Sequence, residues 1–294
     1  MMLRSYFLLG LTLAISTEAI CNRTILSSIT NAYISAQTIG NASALSALSA
    51  STIYLQDDKP SAISTSILSK PLKIDSNRSV LDTITCTTFT EIIVATSPTQ
   101  YVIGTRMEID SITNRINKIE TLATKKGDWA FNATGYLYWN SRETWDPIPL
   151  AKRDSRATIQ AAGDAYFDRF ANATVIVPWG TPCARLEGGA YTGARNESIN
   201  TCDLGLPSTI TVEQRRYVVD EVYGVAVLFL YFPGLDRASE RPSPDSHMFR
   251  VEGGRIRYIH TLSTCENAGC GMNGTGPPGG LKKAKRFGSA RLHF

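Results

Sequence analysis

A chain of 294 residues, 43% hydrophobic and 19% charged, is long enough to bury two cores and too apolar to be an unfolded polyelectrolyte. Its net charge of +4 is owed to Lys282, Lys283, Lys285, Arg286 and Arg291 near the end, so the remainder is close to neutral and offers no basic field for nucleic acid. No apolar run reaches the roughly 20 residues of a spanning helix, so no membrane span is expected.

Residues 1–19 carry Arg4, an apolar run from Tyr6 to Ile15 and a small residue at Ala19, the layout of a cleaved secretory signal peptide. The mature chain is therefore expected in the secretory pathway, extracellular or in a vesicle lumen. Asn22, Asn41, Asn77, Asn132, Asn172, Asn196 and Asn273 each begin an Asn-x-Ser/Thr sequon, so a glycoprotein with those positions at its surface follows. Six cysteines in an oxidising compartment read as disulfides. Their grouping, two per region, favours Cys21 with Cys86, Cys183 with Cys202, and Cys265 with Cys270. No Cys-x-x-Cys pair supports zinc, and no cofactor is implied.

Helical spacing of Ile25, Ile29, Ala32, Tyr33 and Ala36 predicts a helix over 24–38, with a second, small-residue helix over 42–50. From Ser79 the period changes to two, predicting an antiparallel meander with strands over 84–89, 91–95, 101–109 and 115–124. An aromatic stretch from Trp129 to Trp145 follows, read as sealing a core. Asp146–Asp154 has a linker's composition, which places a first domain over 20–148, a second over 149–270 and a disordered basic tail over 271–294. A helix then recurs over 156–172, its Asp164-Ala165-Tyr166 matching Asn31-Ala32-Tyr33.

Trp179–Gly193 (WGTPCARLEGGAYTG) is glycine-rich and reads as a long loop stapled by Cys183 and Cys202. It presents Trp179, Arg185, Glu187 and Tyr191 as candidate binding residues, unless Arg185 and Glu187 merely pair with each other. Strands are expected over 214–222 and 225–232, with Arg216, Val218 and Asp220 on one face. Asp245–Thr264 is the strongest local signal: two alternating runs flank Gly253-Gly254, a two-residue hairpin loop. A regular register pairs Val251 with Ile256, Arg250 with Arg257, Phe249 with Tyr258, and His247 directly with His260. Both histidines would then share one apolar face with Phe249 and Tyr258. A weaker copy over 107–124 matches at a fixed offset, with Thr105 and Glu120 where the histidines would fall.

A helix followed by a bent antiparallel sheet, repeated twice, resembles the α+β fold of nuclear-transport-factor-2-like and SnoaL-like proteins. The resemblance implies two tandem cone-shaped repeats, each with helices packed on a curved antiparallel sheet and a pocket between them. The stretches TPCARLEGGAYTG, RRYVVDE, DSHMFRVEGG and RYIHT also resemble a domain of uncharacterised function found in secreted fungal proteins, over roughly 154–265. Two-domain secreted proteins of this composition resemble the fungal hetero-Diels-Alderases of tropolonic sesquiterpenoid biosynthesis. That implies a cofactor-independent cyclase of secondary metabolism joining a tropolone quinone methide to a humulene-type alkene, with a small hydrophobic polyketide- or terpene-derived partner. His247, His260 and Asp220 are then the acid–base candidates, with Arg185 or Tyr191 polarising the tropolone oxygens, and Glu187, Trp179, Tyr258 and Phe249 lining the site. The competing reading is a secreted binding or interaction protein without catalysis. A metal-dependent oxidoreductase using His247, His260 and Glu187 is a third.

Overall fold

The computed structural model describes residues 21–203, 205–236, 239 and 241–270. The signal-peptide reading of 1–19, the tail 271–294 and Asn273 fall outside them. Helix α1 (Arg23–Ile39) begins where the Asn22 side chain accepts the Ile25 N–H at 2.9 Å and ends at Gly40, whose φ of 66° suits a residue without Cβ. Leu26, Ile29, Tyr33 and Ala36 form its buried stripe. The second helix expected over 42–50 is only a 3-10 turn at Ala42–Ala44. Side chains compete for the backbone there, Asn41 accepting the Ser43 N–H and Thr52 the Ser49 N–H.

The first sheet contains β1 (Ile53–Gln56), β2 (Lys59–Pro60), β3 (Ser76–Asp82), β4 (Thr87–Val94), β5 (Tyr101–Ile109) and β6 (Ile116–Thr124). The strand expected over 84–89 is instead a turn running into β4, because Asp82 Oδ1 accepts the N–H groups of Ile84 and Thr85 at 3.1 Å each. Within the aromatic stretch lies α2 (Ala133–Asn140), capped by Asn132. The second half repeats the plan with α3 (Arg156–Arg169), capped by Ser155, then β7 (Trp179–Glu187), β8 (Ala190–Tyr191), β9 (Arg216–Asp220), β10 (Val225–Phe232), β11 (Ser243–Glu252) and β12 (Arg255–Ser263).

The two sheets have the same connectivity: the orders β2-β1-β6-β5-β4-β3 and β8-β7-β12-β11-β10-β9 are superimposable strand for strand. The fold is therefore α+β with a duplicated six-stranded unit and few helices. Each sheet is mixed rather than antiparallel, since β1 runs parallel to β6 and β7 parallel to β12. The stretch read as a loop is thus strand β7: its inner place beside β12 supplies the hydrogen bonds that its glycines and proline do not announce. Cys183, at 5.5 Å between Cα atoms from Cys202, ties that strand to the segment after it. Cys21–Cys86 and Cys265–Cys270 are bridged as their grouping suggests. The six described sequon asparagines are all exposed.

Helix α1 covers one face of the first sheet and α3 one face of the second, each sealing a core. A third apolar cluster lies between the sheets and includes Val80, Phe89, Val218, Phe229 and Met248. The halves clasp each other reciprocally. Arg23, the first residue of α1, makes a bidentate pair with Asp220 at the end of β9 (2.8 and 2.9 Å). Arg156, the first residue of α3, makes one with Asp82 at the end of β3 (2.7 Å each). Asp220 also accepts the Leu81 N–H and Asp82 the Val219 N–H, so the contact has the self-complementary form of a two-fold interface.

Candidate functional site

The Gly253-Gly254 loop forms as expected, with φ of 59° and 68°, and holds Glu252 against Arg255 and Val251 against Ile256. Beyond that the register slips. Arg250 pairs with Tyr258, leaving Arg257 as a bulge whose guanidinium donates to the Thr181 carbonyl at 2.9 Å. The β5–β6 hairpin carries the matching irregularity, between Glu108 and Ile109. Since one extra residue inverts every side chain after it, His247 faces Thr261, and His260 lies opposite Met248. The expected cross-strand histidine pair does not exist: the two imidazoles lie on opposite faces of the sheet, each in its own buried polar centre.

On the side facing α3, His247 Nδ1 meets Asp245 Oδ1 at 2.6 Å, and the other Asp245 oxygen accepts the Ser263 hydroxyl. Rings from the helix enclose the imidazole, with Tyr166 at 5.4 Å and Phe167 at 4.9 Å between centroids. In the same row across the sheet come Thr261 on β12 and Glu187 on β7. Arg185 donates to Glu187 at 2.7 and 2.5 Å, as the simpler sequence reading had it, and Trp129 Nε1 donates to Glu187 at 3.4 Å. The Arg185 guanidinium also lies 5.7 Å from the centroid of the Tyr166 ring. Burial opposes ionisation of Glu187, but Arg185 and His247 outweigh it and hold its carboxyl below the usual range. Burial pushes the Tyr166 hydroxyl well above its ordinary value, so it stays protonated. Among the described residues His247 Nε2 and the buried Thr261 Oγ1 have no hydrogen-bond partner. An imidazole with one nitrogen on a carboxylate and the other unpartnered can carry a proton either way.

The first half supplies the comparison. Tyr33 occupies the place of Tyr166, and its hydroxyl bonds Thr105 at 2.7 Å, which bonds Thr121 at 3.0 Å. In register with Thr121 and Ile119 stand Gln56 and Tyr54, where the second half has Glu187 and Arg185. The duplicated positions are neutral in one half and ionisable in the other.

On the opposite face His260 is clamped between two carboxylates, Nδ1 to Glu91 at 3.0 Å and Nε2 to Glu143 at 2.6 Å. Glu91 also accepts from the Tyr136 hydroxyl at 2.6 Å and from Arg78 at 3.1 Å, and Trp145 Nε1 donates to Glu143 at 3.0 Å. Burial disfavours the charged ring, but Glu143 and Glu91 together raise His260 to about 9, while His260 and Arg78 hold Glu91 low against its own burial. The ring is therefore an imidazolium at neutral pH, matched by two carboxylates of the first half.

The structure brings His247, Arg185, Trp179 and Phe249 together around Tyr166, with Glu187 beside them. It puts His260, Asp220 and Tyr258 on the face between the halves, where Asp220 is taken up by Arg23 and Tyr258 lies 5.6 Å from the Trp145 ring. Tyr191 stacks on Trp139 of α2 at 4.5 Å and borders the His260 centre, where burial and Glu143 raise its hydroxyl pKa. Asp245 was legible, since Asp-x-His in a strand puts both side chains on one face. Glu91 and Glu143 come from distant segments and leave no local mark. No cluster of three or more metal-ligating side chains is found among the described residues, nor a helix long and apolar enough to cross a membrane.

No curated protein matches this chain. Residues 152–263, which hold the His247 centre and its strands, match a family described as a domain of unknown function (DUF8021).

Proposed function

We propose that the second half is a cofactor-independent acid–base site for a small, largely apolar organic molecule, lying between α3 and the sheet of a SnoaL-like cone. The observation that carries this reading is the contrast between the halves: under the shared tyrosine, Tyr166 or Tyr33, His247–Asp245 and Arg185–Glu187 stand where the first half has only neutral groups. Three disulfides suit the secreted life that the leader suggests.

The specific reaction proposed is the hetero-Diels–Alder coupling of a hydroxymethyl tropolone to a humulene-type alkene, on the resemblance described above. Protonated His247 gives its Nε2 proton to the departing hydroxyl and the C–O bond breaks with loss of water. The neutral ring then takes the proton of the tropolone hydroxyl, which leaves the quinone methide and restores the imidazolium. Asp245 stabilises that charge and Arg185 polarises the ring oxygens. The cycloaddition that follows transfers no proton and needs only that diene and alkene be held together. Proton transfer by a positioned group contributes about 10²- to 10⁴-fold, and orientation roughly 7–11 kcal/mol.

The test is turnover by the purified chain of a hydroxymethyl tropolone with humulene. Product in excess of the uncatalysed rate supports the reading, and tight binding with both compounds recovered unchanged favours the second one, a secreted ligand holder. That alternative draws on the mutual neutralisation of Arg185 and Glu187, which a reaction does not require.

A further inference from the structure

Away from the His247 centre, the two halves and α1 enclose an open cleft of about 910 Å³, within the range of small-molecule sites. Its walls carry Arg23 and Arg78 but no aspartate or glutamate. Each guanidinium lies over an aromatic ring, Arg78 at 4.1 Å from the Trp145 centroid and Arg23 at 5.3 Å from that of Tyr223. Each is also braced from behind by a carboxylate almost wholly withdrawn from solvent, Glu91 for Arg78 and Asp220 for Arg23. These contacts fix the two planes without exhausting them. Arg78 spends one amino group on Glu91, its remaining nitrogens have no partner among the described residues, and a fifth of its side chain is exposed. The lining also holds neutral hydrogen-bonding residues, Ser27, Ser28 and Asn31 from α1 and Ser79 from β3, the last with its hydroxyl also bonded to Thr90 at 3.0 Å.

We infer that this cleft binds a small polyhydroxylated oxyanion, a sugar acid or sugar phosphate, with Arg78 and Arg23 on the anionic group and the neutral residues on the sugar. Preset guanidinium planes suit the flat or forked array of a carboxylate or phosphate. Hydroxyls and amides that donate and accept suit a polyol and are wasted on a hydrocarbon. The inference uses none of the residues of the proposed reaction, so either can fail without the other.

Calorimetric titration with glucuronate, glucose 6-phosphate, inorganic phosphate and neutral glucose tests it. The full chain with Asn77→Gln is used throughout, because Asn77 is an exposed sequon among the lining residues and its removal keeps any glycan sugar from being read as ligand. At least one of the two anionic sugars should bind about tenfold or more tighter than glucose and than inorganic phosphate, and which of the two does so identifies the anionic group. Adding Asn31→Glu, an exposed helix position, should weaken that binding at least about tenfold through like-charge repulsion, while Ser35→Glu, exposed on the same helix but outside the cleft, leaves it unchanged. Equal binding of glucose, equal binding of bare phosphate, or indifference to Asn31→Glu would each overturn the assignment.

Discussion

His260 shows how much a single residue's surroundings decide. The same imidazole that a regular register would place in a catalytic couple is locked instead between Glu91 and Glu143, each of its nitrogens on a carboxylate. Its proton binds more tightly in the folded chain, at about 9, than in the unfolded one, at about 6.5. A raised value stabilises the fold fully below the unfolded pKa and is lost as pH rises through the folded one. The depressed carboxyl of Glu91 works in the opposite sense and is lost toward acid. Denaturant unfolding followed against pH should thus show a fall of a few kcal/mol between about pH 7 and 10. His260→Gln, which cannot take the charge, should flatten that fall while being less stable at neutrality, since both carboxylates lose their cation. A wild-type chain equally stable at pH 7 and pH 10 would remove His260 from this role.

At the scale of elements, the alternating runs were the legible part: β5 and β10 have the bounds that period two predicts, and the Gly253-Gly254 turn has the predicted left-handed geometry. What was not legible was the Arg257 bulge, because nothing about an arginine in a strand signals an extra residue, and that one residue separates His247 from His260. Strand β7 was hidden for a different reason: parallel pairing with β12 is non-local, and glycine and proline argue locally for a loop. The Cys183–Cys202 bridge fastens that strand, and Arg185 and Glu187 ride on it. Replacing both cysteines by alanine should therefore lower stability by about 2–4 kcal/mol. If the midpoint of thermal unfolding stays unchanged, the bridge does not hold the strand.

The whole molecule is one supersecondary plan used twice and joined by exchanged ion pairs. Arg156 and Asp82 have the geometry of a buried pair, with Asp82 fully enclosed and its carboxyl held below the ordinary range by Arg156 and by backbone donors, against the penalty of burial. Asp82→Ala should cost about 3–5 kcal/mol, because it leaves Arg156 uncompensated at the junction of the halves. Asp82→Ala with Arg156→Met should recover a substantial part of that loss, and no recovery would mean that the pair does not couple the two units. Duplication also supplies the sharpest experiment, since each half is the other's control. Thr105 of the first half and His247 of the second occupy equivalent places, under Tyr33 and Tyr166. The decisive measurement is the turnover of a hydroxymethyl tropolone with humulene by Thr105→Val and His247→Gln, each confirmed folded by circular dichroism. The account predicts near wild-type turnover for the first and a loss of about 10²- to 10⁴-fold for the second. Full turnover by folded His247→Gln, or an equal loss in both variants, would contradict it.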